Sequence, residues 1–253
     1  MNRYPTNPVL MGNLFNRSVR LHYLTLKHTI FYIALIALIK NIVFYLAGLT
    51  ANFFLDALIF IVGALFIIYF YAAALLATHE AFCDQPQSIK TILLKIKERI
   101  FTIYASFILY IVGTIAVYYF VKLILIAAGR LIHEPSAIHG GLLIIGWALI
   151  FVYIAIFYFS ISLCIIKSTS LKEAFYDSML QTERVKFNVF VLYAILGAIA
   201  LLISPVMLHE DFLSTYHLAT PFDFVVLCVL APLYLNLTLL SIHDATLQLE
   251  TEE

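Results

Sequence analysis

The sequence is short of charge, glycine and cysteine, and each shortage narrows what the chain can be. Charged residues make up 12% of its 253 residues, while 63% are hydrophobic. Soluble domains carry about twice that share of charge, so this composition belongs in lipid rather than in water. The 15 basic and 15 acidic residues cancel, leaving no basic excess for nucleic acid, which is excluded as a partner. Nine glycines never cluster ahead of Lys-Ser or Lys-Thr, which excludes a P-loop, and none flanks a serine as a nucleophile elbow would require. The three cysteines, Cys83, Cys164 and Cys228, are far apart and odd in number. They offer neither a disulfide framework nor a metal-ligand spacing. The pair His-Glu occurs at 79, 133 and 209, yet never continues to the H-E-x-x-H that sets two zinc-binding imidazoles beside a catalytic carboxylate. No span carries the paired acids of an intramembrane hydrolase. A non-catalytic protein with no cofactor is the expectation.

What the chain has in abundance is long apolar runs. A membrane crossing needs about 20 such residues, and six candidates lie near 29–48, 53–78, 100–120, 141–166, 187–207 and 222–242. The first 27 residues are polar and mixed, so the first run reads as an uncleaved anchor rather than a cleaved signal. The stretch 120–132 either continues the third span or lies flat at the interface. Basic residues set the orientation. Arg3, Arg17, Arg20 and Lys27 precede span one; Lys90, Lys95, Lys97 and Arg99 follow span two; Lys167, Lys172, Arg184 and Lys186 follow span four. The opposite side holds only Lys122 and Arg130. Both termini are therefore expected in the cytoplasm.

The polar runs between spans are themselves patterned. In "SLKEAFYDSMLQTER" Ser170 and Glu173 form the S-x-x-E capping box that opens a helix. Leu171, Phe175 and Met179 then fall on one face, expected to rest on lipid at the cytoplasmic surface. The segment 88–99, with Ser88 as cap, repeats the device, and 14–27 gives a weaker version. The expected fold is all-α: a polytopic membrane protein forming a six-transmembrane-helix bundle with cytoplasmic interfacial amphipathic helices. Residues 1–253 read as a single integral membrane domain, built from three repeats of amphipathic helix plus hairpin.

The segment with Ser170, Ala174 and Ser178, followed by Asn188, resembles that of the YciC-like bacterial inner-membrane proteins. It is also similar to the integral membrane domain of some glycerophosphoryl diester phosphodiesterases. The resemblance implies a bacterial inner (cytoplasmic) membrane and assigns no activity. The chain departs from that pattern in the preceding hairpin, where "HEPSAIHGG" stands in place of a proline-glycine pair.

Polar residues inside the runs mark the remaining candidates. Lys40 in span one and Asp56 in span two are costly in hydrocarbon unless paired. With Gly48 taken as the centre of the turn, both lie about 12 Å from it. They are expected to pair, with Asn41 and Asn52 nearby, and they would be the working residues of a small transporter or channel subunit. Pro232 and Asn236 predict a kink in span six with a hydrogen-bonding side chain beside it. His133, His139, His209 and His217 in the two outer loops are candidate ligands for a divalent ion if the loops meet, or titrating groups of a pH-responsive surface. At the inner ends of spans two and six, His79, Glu80, Cys83, Asp84, His243 and Asp244 read as polar residues that stop a span. The leading functional expectation is support of membrane or envelope organisation through membrane lipids or other membrane proteins.

Overall fold

A computed structural model describes residues 4–6, 11–49, 52–131, 153, 157, 159–167, 169–184 and 212–250 of the protein. These residues are all-helical apart from their connections: α1 (Met11–Arg20), α2 (His22–Leu49), α3 (Phe53–Phe82), α4 (Ile89–Leu131), α5 (159–166), α6 (Leu171–Arg184) and α7 (Phe212–Glu250). Among the described residues, four stretches are long and apolar enough to cross a membrane: His22–Leu49, Phe53–Phe82, Ile89–Leu123 and Phe224–Glu250. The span expected near 187–207, and most of 141–166, lie outside the described residues. The chain divides into two compact units, Met1–Ile100 with Arg184–Glu253, and Phe101–Glu183.

Side-chain chemistry sets the helix ends. Asn52 Oδ1 accepts from the N–H groups of Phe54 (2.9 Å) and Leu55 (3.4 Å), so Asn52 caps α3. At the other end of α3, Asp84 takes a left-handed φ of 56°. Its N–H reaches Ala81 O and that of Gln85 reaches Glu80 O at 2.9 Å, the paired bonds of a Schellman stop. Ser88 Oγ accepts from Thr91 N at 3.2 Å and caps α4 as expected. The capping box of α6 forms in both directions: Ser170 N donates to Glu173 Oε2 (2.9 Å) and Glu173 N to Ser170 Oγ (3.3 Å). The Ser170 N–H, and after it the Ser170 hydroxyl, hold the Glu173 carboxyl below its ordinary value.

Two expectations about the amphipathic segments change. Residues 88–99 are the opening turns of α4, not a separate helix, and 120–132 continue it as far as Leu131. At 1.5 Å per residue its 43 residues span about 64 Å, some twice the hydrocarbon thickness. Nothing between Ile89 and Leu131 is a proline, so the backbone ladder has no reason to break. The segment that looked weakest, before span one, forms the most sharply segregated helix described, α1.

Within the first unit, α2 and α3 make an antiparallel hairpin and α7 packs against α1, α2 and α3. Many large apolar side chains face outward, and small polar ones join the apolar core. Leu38, Ile42, Leu46, Leu58, Phe60 and Phe66 are exposed on the hairpin, while Thr25, Thr29, Thr78, Asn236, Thr238 and Ser241 are buried. Lipid gives no reason to hide apolar side chains, while a hydroxyl or amide in hydrocarbon is better placed where the protein can offer it a partner. Threonines meet that demand by donating to the carbonyl four residues back: Thr29 to Thr25 O (2.7 Å), Thr78 to Ala74 O (2.8 Å) and Thr238 to Tyr234 O (2.9 Å).

The hairpin closes on a glycine. A Cβ at buried Gly63 would sit 2.2 Å from Val43 Cγ2, and Phe44 meets Phe60 edge-on at 5.7 Å beside it. Gly63→Ala is expected to cost about 1–3 kcal/mol through overpacking against the stiff, β-branched Val43. Adding Val43→Ala should restore most of that loss, as measured by unfolding in mixed micelles; strictly additive effects would show that the two do not touch.

Candidate functional site

The ends of two long helices and the start of the chain meet around Tyr4. The sequence "HEAFCD" closes α3, and "SIHDATLQ" lies in the last turns of α7. Neither segment carries a large apolar face, so their polar rings need a partner, and the amino-terminal segment supplies it. Tyr4 is 8% exposed. Its hydroxyl lies 2.7 Å from His79 Nδ1, and its ring packs at 4.5 Å on His243 and edge-on at 5.4 Å on Phe82. His243 Nε2 donates to Pro5 O at 2.9 Å. One histidine holds the side chain of residue 4 and the other the backbone of residue 5. The chain start is thereby strapped across α3 and α7.

The surroundings complete an electrostatic setting. Cys83 Sγ lies 4.0 Å from His79 Nε2. Lys95 Nζ meets Glu80 Oε1 at 2.7 Å, tying the first turns of α4 to the end of α3. Gln248 Nε2 donates to Asp244 Oδ2 at 2.8 Å. Burial first, and the neighbouring Cys83 second, push the Tyr4 hydroxyl well above its ordinary value. Burial, followed by the carboxylates of Glu80 and Asp84, raises the Cys83 thiol, so it is held as thiol. A neutral tyrosine hydrogen-bonded to an imidazole can exchange a proton. Here Phe82 and His243 cover its ring, which suits a clamp. Among the described residues no group of three or more His, Cys, Asp or Glu side chains is placed to hold a metal ion.

A second polar knot joins α1, α2 and α7. Asn236, fully buried, accepts from Thr25 Oγ1 and donates through Nδ2 to Ser18 O at 2.9 Å. Ser18 Oγ donates to Leu233 O (3.1 Å) and His22 Nε2 to Val229 O (3.1 Å). These acceptors flank Pro232, which has no N–H to give to the helical ladder. The polar residue expected beside the kink is therefore an interhelical clamp.

Other expected site residues are placed as follows. Lys40 and Asp56 are both half-buried on the two arms of one hairpin. The helices of that hairpin end at Leu49 and begin at Phe53. Asn52, expected beside that pair, is the helix cap. Leu171 and Phe175 are half-buried and Met179 is 48% exposed. In the second unit the innermost line of α6 is Ala174, Ser178 and Gln181, and Phe175 meets Phe157 at 5.2 Å. Of that expected lipid-facing set, Phe175 is thus engaged with protein. His133, His139 and His209 lie outside the described residues, as does the side chain of His217, whose backbone belongs to α7. The sequence reading missed Tyr4, Ser18 and Thr25. A Tyr-Pro pair in a polar leader signalled the first; the spacing of Ser18, Thr25 and Thr29 on one helical face signalled the others.

An apolar groove of about 510 Å³ lies between α2 and α3, lined by residues that include Ile42, Val43, Leu46, Val62 and Phe66. Neither Lys40 nor Asp56 lines it. Comparison with family models, with curated proteins and with solved structures finds no match for this chain.

Tyr4→Phe is expected to cost about 1–2 kcal/mol near neutral pH, by leaving His79 Nδ1 unpartnered. A tyrosine whose folded value is raised contributes stability that is complete below its unfolded value of about 10 and is lost as pH rises through the folded value. The gap between wild type and Tyr4→Phe should therefore close in melting curves recorded above pH of about 10; a constant gap would place the hydroxyl outside the titration. Asn236→Leu should cost about 1–2 kcal/mol in mixed-micelle unfolding, since it strands Ser18 O and the Thr25 hydroxyl together.

Proposed function

We propose that this chain is a non-catalytic integral membrane protein that supports membrane or envelope organisation through contacts with lipids and other membrane proteins. The observation that carries this reading is the groove between α2 and α3. It is lined by apolar side chains alone and lies among apolar residues exposed along both helices. An acyl chain finds there continuous van der Waals contact, and a polar solute finds no hydrogen-bond partner. A small transporter acting through Lys40 and Asp56 needs a polar cavity reaching them, and this groove is not one.

The proposed setting is a bacterial inner membrane crossed six times, with both termini cytoplasmic. The distribution of basic residues supports it. So does the meeting of Tyr4 with the ends of α3 and α7, since a six-span chain brings its start and the ends of spans two and six to one face. The resemblance to the YciC-like proteins belongs to the same reading.

Native mass spectrometry of the gently purified protein is the test. Discrete phospholipid adducts or a partner chain are expected. A bare chain would count against the reading. Solute uptake into proteoliposomes that is abolished by Lys40→Ala or Asp56→Ala would replace it with transport.

A further inference from the structure

We infer that the surface formed by α1 and the first turns of α2 binds the headgroups of anionic phospholipids. The inference deepens the lipid-contact reading above and rests on it. Three observations carry it. The first is position: α1 runs into the apolar span with only Leu21 between. Leu21 N bonds to Arg17 O and Thr25 N to Leu21 O, each at 3.0 Å, so the helical path continues from one to the other. A helix joined this way to a membrane crossing lies at the level where the span meets water.

The second is the division of its faces. On a wheel of 3.6 residues per turn, Leu14, Ser18, Thr25 and Thr29 share one side, and all four are buried. Phe15, Val19 and Tyr23 form the neighbouring flank and are exposed, Tyr23 by 78%. Arg20 and Lys27 come next, nearly opposite the buried side, and are also exposed. One face holds protein, the flank presents rings and a branched aliphatic to the acyl boundary, and the outer face presents cations at headgroup height. Tyrosine at this depth suits a ring that is apolar with a polar tip, and the long stems of Arg20 and Lys27 lie over the apolar flank.

The third is charge. The first acidic residue in the chain is Asp56; before it stand Arg3, Arg17, Arg20, Lys27 and Lys40. The local field is positive, and its complement is a phosphodiester headgroup bearing net negative charge rather than a zwitterionic one. The expected amphipathic binder was α6, but there the capping Glu173 is exposed and Asp177 lies 3.5 Å from Lys167, so the cations are locally balanced.

The full chain in detergent, given equal phosphatidylglycerol and phosphatidylethanolamine, is read by native mass spectrometry. Wild type should retain phosphatidylglycerol in excess, with each cation accounting for about fivefold. Arg20→Gln with Lys27→Gln should bring the two lipids to parity. Arg20→Lys with Lys27→Arg should keep the preference, as should Lys122→Gln, which removes an exposed lysine of α4. Retention of both lipids without preference in wild type, or a preference that survives the double glutamine variant, overturns the inference and leaves the lipid-contact reading standing. Retention of neither lipid overturns both.

Discussion

The hydrogen bond from the Asn236 amide to the Ser18 carbonyl, together with the Thr25 hydroxyl that reaches the same side chain, fixes α7 against α1 and α2. In hydrocarbon there is no water to accept or supply those bonds, so a helix pair that satisfies them has little reason to slide or rotate. On either side of Pro232, Leu233 O and Val229 O accept from Ser18 and His22 and add two more ties to the same helices. Once α7 is held there, its last turns carry His243 to the end of α3. Tyr4 and Pro5 then have two histidines to bind. The strap at the chain start thus depends on a buried amide several turns away along α7.

The same constraint explains why polar side chains share the interior of the first unit while many large apolar ones face outward. Apolar side chains gain nothing from leaving lipid, so packing between α2 and α3 rests on close approach, and Gly63 against Val43 supplies it. Apolar residues that would be a liability in water instead form the outer surface and the open groove. Polar groups are drawn inward, where the backbone carbonyl four residues back or a neighbouring helix receives them. The proposed function rests on that distribution of exposed apolar and buried polar side chains.

How much of this was legible beforehand differs from element to element. The caps at Ser88 and Ser170 could be read off because a cap is satisfied within four residues of itself. The spans now described near 29–48, 53–78, 100–120 and 222–242 could be read because hydropathy is a sum along the chain. The pairing of Lys40 with Asp56 was read from equal spacing about Gly48, but which side chains meet across a hairpin depends on how its arms pack, and no sum along the chain supplies that. Likewise α1 looked weaker than α6 by its order of residues, because Ser18, a hydroxyl that belongs to the buried face, reads as polar on a wheel.

By itself the sequence determined the medium, the helical class and the local helix starts, since these depend on composition and on neighbours a few residues apart. Only the tertiary structure decided that Tyr4 lies between His79 and His243, and that Asn236 serves two helices more than 200 positions away in sequence. It alone showed that the exposed side of α1 and the first turns of α2 combines an apolar flank with two cations. Those outcomes depend on which distant groups can satisfy one another without water. That is a property of the packed chain, and no single segment carries it.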